Sequence, residues 1–488
     1  MISTNEKEKR ESLHILFLHL DLGIGGAEQL IINLGLASLP HKVSIFTTHC
    51  NQNHCFQEVR KDPDNPGKLA NYVHVVGEFL PVNILGKGTA FCSTIRMIYL
   101  SIVAKNTYPD ADVFVLDVLP TPVPFLTCGI RSVKSVIYYC HFPDKLLTRN
   151  SVNGDIIAAQ STTTSKKRFQ NVVSGVYRIV MDRLEEWTMS YADLICVNSN
   201  FTKEEVLRVF PALHDKISTC SMYLQVLYPA IDLSKFIEPD FTWKRMLVEQ
   251  KDSKRIKAPI VSLNRFERKK NIEVLLHAYA GIKRKRIQRK ETTPLPPLVI
   301  AGGYDPRNKE NAEYLVELQD LALSLQINDD TEFRPSVTDH DRASLLKSAL
   351  CVVYTPFREH FGIVPLEAMY AGSAIVALNS GGPKETIQDG TTGYLVDFIP
   401  GDSYEKLETA IENMIADPLK AIEMGKKGHD HVKSKFGIDS FQAHWASLLS
   451  DARSNGNVRL QKRSNTMVFV FGIILSVVIA ILSMNRIL

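Results

Sequence analysis

The sequence predicts an α/β protein of two domains, each built on a parallel sheet. With 488 residues the chain is too long for one ordinary domain and suits two of about 200 each. Apolar residues make up 45% of it and charged residues 23%, which supplies two cores and excludes global disorder. Short apolar runs alternate with helical patterns in both halves, an order typical of parallel sheets.

The first half begins with an apolar run, Leu13 to Leu20, then the glycine-rich segment 23–26 and a helical pattern from Ala27 to Leu39. This order predicts a strand, a glycine loop and a helix. After a charge-rich stretch at 240–257, a second series of strands and helices begins. The other predicted strands are 43–47, 112–116, 135–139, 194–198 and 225–227, then 259–263, 298–301, 332–334, 351–354, 374–377 and 393–396.

These patterns predict two Rossmann-like domains that face a cleft, with ligands bound at the carboxyl ends of the strands. The expected boundaries are a tail at 1–12, a first domain at 13–230, a linker at 231–258 and a second domain at 259–455.

The C-terminal segment 464–485 has the composition of a membrane span. Its 22 residues lie between Arg463 and Arg486 and carry no charge. A helix of this length reaches about 33 Å, enough for a hydrocarbon core of about 30 Å. Several cations precede the segment and one follows it, so the positive-inside rule places the preceding chain in the cytosol. We expect a transmembrane anchor, and a buried core helix is the alternative.

Overall charge and cysteine content narrow the function classes. The net charge of +4 gives no case for nucleic-acid binding. No secretory signal is evident in the first residues, and eight cysteines at irregular spacings lead us to expect reduced thiols in a protein that faces the cytosol.

The glycine loop after the first strand is a candidate ligand site. Glu28 occupies the third small-residue position of a dinucleotide fingerprint, which disfavours NAD. A loop without side chains at a helix N-terminus can approach an anionic or sugar ligand closely, so Gly25 and Gly26 are candidate donor-binding residues. A tight turn without a ligand is the alternative.

Two cations follow the first strand of the second half. Arg265 and Lys270 precede a helix expected from about Asn271, the place where a parallel sheet binds a diphosphate. A solvated basic loop is the alternative.

A second constellation follows the strand at 351–354. Glu359 and His360 lie in the predicted loop, Gly362 offers backbone N–H groups to a phosphate, and Glu367 lies on the helix. Eight helical residues would separate the two glutamates by about 12 Å, more than the roughly 5 to 5.5 Å of a retaining glycosidase pair. We therefore expect the two carboxylates to have different roles.

These residues carry a resemblance to a known family. The stretch from Glu359 to Glu367 resembles the E-x7-E motif of the large retaining GT-B glycosyltransferase family, and Arg265 with Lys270 resembles its R-x4-K diphosphate clamp. More closely, four segments resemble the α-1,3/1,6-mannosyltransferases that act early in assembly of the dolichol-linked oligosaccharide for N-glycosylation. The four segments are 139–144, 264–271, 359–362 and 380–383.

The resemblance implies a GT-B fold and GDP-mannose as the donor, with no metal or other cofactor required. Arg265 and Lys270 would stabilise the departing diphosphate, and His360 would join the donor-binding residues. Glu367 would accept hydrogen bonds from the ribose, while Glu359 and His141 are the candidate catalytic residues beside the mannose.

The implied reaction adds an α-1,3 and then an α-1,6 mannose, with retention, to Man-GlcNAc2-PP-dolichol at the cytosolic face of the endoplasmic reticulum membrane. The expected partners are the dolichol-linked acceptor, that membrane and other mannosyltransferases of the pathway, without nucleic acid. The alternatives are a retaining transferase for another donor or lipid acceptor, and a catalytically silent scaffold.

Four further segments each have more than one interpretation. The basic run 283–290 suits anionic headgroups or a solvated helix face, and the apolar segment 80–104 suits a membrane interface or a helix of the first domain. Two His-Cys pairs at 49–55 could bind zinc, although an ordinary loop is favoured. Asp110 and Asp112 have the spacing of a metal-binding pair, but we interpret them as part of a turn.

Overall fold

The computed structural model describes residues 12–83, 88–128, 133–147, 179–219, 223–231, 238–249, 258–399, 401 and 403–461. These residues form two compact units. The first unit comprises the chain up to Asn198, then Lys203–Tyr228 and the residues from Phe441. The second unit comprises Ser199–Thr202 and Pro229–Ser440.

The first unit is built on a seven-stranded sheet in which every pairing is parallel. The strand order is β3-β2-β1-β4-β5-β6-β7. The strands are β1 (His14–Asp21), β2 (Lys42–His49), β3 (Val73–Val75), β4 (Val113–Asp117), β5 (Ser135–Cys140), β6 (Leu194–Val197) and β7 (Leu224–Val226).

Helices connect these strands and cover the sheet, as parallel crossovers require. They are α1 (Gly26–Ala37), α2 (Thr89–Thr107), α3 (Val123–Cys128), α4 (Asp144–Leu147), α5 (179–189), α6 (Asn200–Val209) and α7 (Ala212–Thr219). Met97 and Leu100 on α2 join Phe114 and Tyr138 of the sheet in one buried core. This packing supports the interpretation of the second part of segment 80–104 as a helix of the first domain.

The second unit has a six-stranded, all-parallel sheet in the order β10-β9-β8-β11-β12-β13. Its strands are β8 (Ile260–Leu263), β9 (Leu298–Gly302), β10 (Thr331–Pro335), β11 (Cys351–Tyr354), β12 (Ala374–Leu378) and β13 (Gly393–Val396). Its helices are α8 (Phe241–Glu249), α9 (Ile272–Gln288), α10 (Lys309–Ser324), α11 (Asp339–Ser348), α12 (Ile363–Tyr370), α13 (Pro383–Thr386), α14 (Glu405–Ala416) and α15 (Pro418–Lys435).

Both sheets have the Rossmann strand order, and this confirms the predicted fold class of each unit. Every predicted strand coincides with an observed one, and only the three-residue β3 was not anticipated. The strand order reverses between β1 and β4 in the first unit and between β8 and β11 in the second. Ligands of such sheets bind outside the carboxyl ends of the strands at this switch point.

The last helix, α16 (Ile438–Gln461), packs on the first unit, so the chain leaves the second sheet before the predicted limit of residue 455. Buried Trp445 donates a hydrogen bond from Nε1 to Ser38 Oγ at 2.8 Å. The Ser135 hydroxyl donates to the carbonyl of Ala452 at 2.8 Å. An amphipathic pattern identifies such a helix but not the sheet that it covers.

The predicted membrane span at 464–485 lies outside the described residues. Among the helices that the structure does describe, none combines the length and the apolar composition needed to cross a bilayer.

The basic run on α9 is engaged in ion pairs with neighbouring elements. Lys283 lies 2.8 Å from Asp330, and Lys285 lies 2.7 Å from Glu408. Further along, Arg289 lies 3.2 Å from Glu412. These pairs favour the interpretation of the run as a solvated helix face over that of a headgroup site.

Candidate active site

The switch point of the second unit brings the loops after β8 and β11 together. A 3₁₀ turn at Arg268–Lys270 ends at Asn271, whose φ of 50° is left-handed, and α9 begins at the next residue. The Thr355 hydroxyl, directly after β11, donates to the Lys270 carbonyl at 2.8 Å. This bond fixes Lys270 beside the loop that carries the predicted glutamate.

Lys270 and Glu359 form the central ion pair of this site. Nζ of Lys270 donates to Oε2 of Glu359 at 2.5 Å, and both side chains are largely buried. Burial by itself would raise the pKa of Glu359, but the positive charge and hydrogen bond of Lys270 outweigh it and lower that pKa. Glu359 therefore remains a carboxylate at neutral pH, held by a cation that retains two further N–H donors.

Arg265 occupies a more open position on the same edge. Its side chain is 63% exposed, and Nη1 lies 3.1 Å from Oε1 of Glu267. A guanidinium carries five N–H donors, so this single partner leaves donor capacity toward solvent. The charges of Arg265, Glu359 and Glu367 all act on the buried Tyr354, whose pKa is raised first by burial and then by Glu359. Arg265 and the two predicted carboxylates thus all lie close enough to Tyr354 to affect its ionisation.

The loop that carries Glu359 is held by close backbone packing against the segment 380–383. The Gly382 amide donates to the Glu359 carbonyl at 2.8 Å, and the Ser380 hydroxyl accepts a hydrogen bond from the Arg358 amide at 2.9 Å. A Cβ at Gly381 would lie 2.2 Å from the Glu359 carbonyl oxygen, and one at Gly382 would lie 2.2 Å from that of Phe361. These two positions therefore require glycine.

The residues around the start of α12 lie where the sequence predicts them. Gly362 caps the helix with a left-handed φ of 79°. The carbonyl of His360 accepts a hydrogen bond from the Ser199 hydroxyl at 2.6 Å, and the charge of His360 helps to lower the pKa of Glu359, behind burial and Lys270. Glu367 is 6% exposed, and its Oε1 lies 3.2 Å from Nη2 of Arg342 on α11.

In the first unit, the two candidate residues of the glycine loop have different surroundings. Gly25 has an extended backbone, and a Cβ there would lie 2.3 Å from Oε2 of Glu28. Gly26 begins α1, and a Cβ there would meet no atom within 4 Å. A Cβ at Gly25 would displace the folded-back Glu28 carboxylate, whereas Gly26 borders open space.

His141 follows β5 and belongs to a charged cluster at the switch point of the first unit. Its Nε2 lies 3.1 Å from Oδ2 of Asp117, and its carbonyl accepts a hydrogen bond from Nδ2 of Asn198 at 2.9 Å. The other carboxylate oxygen of Asp117, Oδ1, lies 2.7 Å from Nδ1 of His19. Asp117 is fully buried, while the His141 side chain is 29% exposed.

The electrostatics of this cluster favour a buried ion pair. Burial lowers the pKa of His19, but the charge of Asp117 and the hydrogen bonds that His19 donates to Asp117 and Glu28 reverse that effect and raise it to about 10. Burial raises the pKa of Asp117, and the charge of His19 with the hydrogen bond from His141 overcomes it, so this pKa is lowered. His19 is therefore a cation and Asp117 an anion over the neutral range.

Comparison with known proteins assigns the chain to a family. Residues 247–431 match the family model described as glycosyl transferases group 1. The α-1,3/1,6-mannosyltransferase ALG2 of Rhizomucor pusillus is 35% identical over 467 residues, covering 91% of this chain and 93% of that protein. The human enzyme of the same name is 34% identical, covering 89% of this chain and 95% of its own length. The chain belongs to the α-1,3/1,6-mannosyltransferase family.

Solved structures support the fold of this glycosyltransferase. Sucrose-phosphate synthase of Thermosynechococcus elongatus superposes with a TM-score of 0.63 at 20% identity, covering 90% of this chain and 98% of that chain. HepE of Anabaena in complex with UDP-glucose gives a TM-score of 0.57 at 18% identity, covering 90% and 99%. At such identities the likeness concerns the fold alone, and it agrees with the two Rossmann-like units of the mannosyltransferase.

Sequence reasoning missed several residues at both switch points of the mannosyltransferase. His19, Glu28 and Asp117 surround the predicted His141, and Arg342 holds the predicted Glu367. A usable signal was present for His19 and Asp117, because each is a polar residue in the carboxyl-terminal part of a mostly apolar strand. Arg342 gave no comparable signal.

The contacts of Asp112 agree with the interpretation of Asp110 and Asp112 as part of a turn. Asp112 accepts a hydrogen bond from the His14 amide at 2.8 Å and pairs with Lys134 at 2.7 Å, so it supports the amino end of the sheet. Within the part of the chain that the structure describes, no three His, Cys, Asp or Glu side chains are grouped so that they could hold a metal ion.

Proposed function

We propose that this glycosyltransferase transfers mannose from GDP-mannose to Man-GlcNAc2-PP-dolichol, first in α-1,3 and then in α-1,6 linkage, with retention of anomeric configuration. Support comes from the names of its relatives, which are α-1,3/1,6-mannosyltransferases over most of the chain. The single observation that carries the proposal at the level of residues is the buried Lys270–Glu359 pair at the switch point of the second sheet.

The donor would bind through its diphosphate to the carboxyl edge of the second sheet. Lys270 can keep its hydrogen bond to Glu359 and still donate to a phosphate oxygen, because an ammonium has three donors. The exposed Arg265 guanidinium supplies the second cation. The N-terminus of α12 at Gly362 adds backbone N–H groups and a positive partial charge. Glu367, fixed by Arg342, would accept hydrogen bonds from the ribose hydroxyls.

These residues would favour loss of the diphosphate. As the bond between the mannose C1 and the β-phosphate oxygen breaks, negative charge develops on that oxygen and the sugar becomes cationic. Lys270 and Arg265 would stabilise the charge on the phosphate, and the carboxylate of Glu359 would lie near the sugar. The acceptor hydroxyl oxygen forms the new bond to C1 on the same face, and its proton passes to the departing phosphate. His141 in the first unit is assigned a contact with the transferred sugar.

Membrane attachment completes the proposal. We assign segment 464–485 as a transmembrane anchor and place the catalytic units at the cytosolic face of the endoplasmic reticulum, where other mannosyltransferases of the pathway are candidate partners. The support is the uncharged composition of the segment and the cations that precede it.

The test is incubation of the full-length protein in membranes with GDP-mannose and a synthetic lipid-linked trisaccharide, followed by linkage analysis of the product. We expect an α-1,3 and then an α-1,6 mannose, whereas transfer only from another nucleotide sugar would refute the donor assignment.

Substitution of the central ion pair tests the site separately. We expect Lys270→Ala and Glu359→Ala each to lower transfer by about 1000-fold or more, because each removes a charge from the reacting centre. Lys269→Ala is the matched control, since Lys269 lies in the same turn with a side chain 66% exposed and paired with Glu267. Normal transfer by either of the first two variants would contradict the assignment of these residues.

A further inference from the structure

The charged cluster of the first unit lies where three strands of its sheet end. Three strand ends contribute to it: His19 lies near the end of β1, Asp117 ends β4, and His141 follows β5. The distances from Asp117 to the two imidazoles are 2.7 Å and 3.1 Å, one from each carboxylate oxygen. His19 and Asp117 are both buried, so neither can contact a substrate directly.

Protonation follows from the chemistry of the carboxylate. An ionised carboxylate only accepts hydrogen bonds, so Nδ1 of His19 and Nε2 of His141 must both carry protons. Nε2 of His19 approaches Oε1 of Glu28 at 3.8 Å, which places negative charge on its other side as well. His19 is thus enclosed between two carboxylates and is stable as an imidazolium.

The strained backbone directly after Asp117 indicates that the surrounding structure holds this carboxylate in a fixed position. Val118 has a φ of 64°, a left-handed conformation that β-branched residues rarely adopt. Strain of this kind persists where the surrounding structure requires it, commonly at functional sites. Here it ends β4 directly after the carboxylate that lies between the two histidines.

We propose that His19 is a positioning residue for mannose transfer: as a buried cation it holds Asp117 ionised, and Asp117 in turn fixes the tautomer and orientation of His141. This inference rests on the proposed contact of His141 with the transferred sugar. With Nε2 protonated toward Asp117, the Nδ1 of a neutral His141 is left as a hydrogen-bond acceptor. No other titratable pair among the described residues of the first sheet has this arrangement of alternating charge at the switch point.

Replacement of His19 by a neutral side chain should leave Asp117 protonated and reverse the tautomer of His141. Besides His141, whose hydrogen bond and charge also lower the pKa of Asp117, the remaining groups that act on Asp117 and its neighbours do not supply a cation to replace His19. They are the carboxylate of Glu28, whose pKa is lowered by His19 against the effect of burial, and the phenols of Tyr138 and Tyr139, whose pKa values burial raises well above the ordinary value. A buried carboxyl without a cation takes up a proton, becomes a donor, and would turn His141 into the other tautomer.

The first measurement is spectroscopic and does not depend on activity. In the full-length protein with 15N-labelled histidine, we expect the ring nitrogens of His19 to remain those of an imidazolium at pH 7 and up to about pH 9. The His19→Gln variant assigns the signal by its loss. A neutral His19 ring at pH 7 would overturn the proposal even if mannose transfer is normal.

The second measurement is the pH profile of transfer from GDP-mannose. We expect His19→Gln to lower kcat at pH 7 by about 10- to 100-fold, with a smaller change in KM, and to recover activity as pH rises and Asp117 ionises. Asp117→Asn should lose a similar factor and recover at no pH, because an amide cannot ionise. A wild-type profile for His19→Gln, or a folded variant equally impaired at every pH, would overturn the proposal.

The chain offers a matched control on the same strand. His14 lies at the opposite end of β1, where its Nε2 is 3.0 Å from the Ser44 hydroxyl, and burial followed by the charge of Lys42 lowers its pKa to about 4. His14→Gln should keep the wild-type pH profile. If the wild-type protein transfers no mannose at all, the proposed function fails, while the protonation of His19 is still decided by the spectra.

Discussion

The two switch points of the molecule have the same strand order but different contents. In the first unit, an interior chain of charges runs through the buried His19 and Asp117 to the partly exposed His141. In the second, the exposed Arg265 and the buried Lys270–Glu359 pair lie on loops at the sheet edge. The same topology therefore carries two arrangements: the first edge holds one imidazole against a buried carboxylate, and the second gathers the charges that we propose bind a diphosphate.

The contacts that hold the site residues in place also differ between the two edges. At the first edge, side chains hold side chains across three strands. At the second, backbone holds backbone, because Gly381 and Gly382 lie against the carbonyl groups of the Glu359 loop. Glycine substitutions and charge substitutions should therefore have different effects at the two edges, and the following three predictions test this difference.

The largest effect is expected for Gly382→Ala. The φ of Gly382 is −58°, which any residue adopts, so the change is opposed by collision of the new Cβ with the Phe361 backbone, whose carbonyl oxygen would lie 2.2 Å away. We expect a loss of about 3 kcal/mol in the free energy of unfolding. Displacement of the Glu359 loop should also lower transfer by about 100-fold. Denaturant unfolding and initial rates measure the two effects.

Gly390→Ala is the control for that prediction. Gly390 has a left-handed φ of 70° but open space around its Cβ, so it tests backbone strain without a collision. We expect a loss of about 1 kcal/mol and normal transfer. If Gly382→Ala behaves like Gly390→Ala, the loop is not held by backbone packing and the comparison of the two edges is wrong.

The same difference explains what could be predicted from the sequence. Arg265 and Lys270 are close in sequence because they lie on one loop, and Glu359 and Glu367 are close because they lie on one loop and the helix after it. The spacing within each pair could therefore be recognised from the sequence. His19 and Asp117 are 98 residues apart and meet only because β1 and β4 are neighbours across the crossover. The strand pattern predicted both sheets, but it does not show which polar strand ends face one another.

The boundary at 455 illustrates a second limit. Apolar periodicity predicts that α16 has a buried face, but the partner of that face is set by tertiary contacts such as Trp445 with Ser38. The Arg342–Glu367 ion pair is similar, since it joins α11 to α12 through a tertiary contact.

An intermediate effect is expected for Arg342→Gln. This change removes the positive partner of Glu367, which is proposed to bind the donor ribose in both the ground state and the transition state. Loss of such uniform binding raises KM for GDP-mannose, here by about 10-fold, with little change in kcat. Arg342→Lys should restore part of the affinity, because it keeps the charge.

Lys347→Gln on the same helix is the control for Arg342→Gln and should leave KM unchanged. A fall in kcat without a rise in KM for Arg342→Gln would instead assign the Arg342–Glu367 pair to the reacting centre. That result would make the second edge a site for orienting groups as well as for binding charge.

The smallest effect is expected in the glycine loop of the first unit, where two adjacent positions separate structure from ligand binding. Gly25→Ala places a Cβ against Oε2 of Glu28, so Glu28 must move away from His19, at a cost of about 1 kcal/mol in thermal unfolding. Gly26→Ala meets no atom within 4 Å and should leave stability unchanged. If the open space beside Gly26 receives the donor, calorimetry with GDP-mannose should show binding weakened by about 10-fold in Gly26→Ala. Unchanged binding would restrict the loop to a structural role, and the first edge would then act on the sugar through His141 without a backbone contact to the donor.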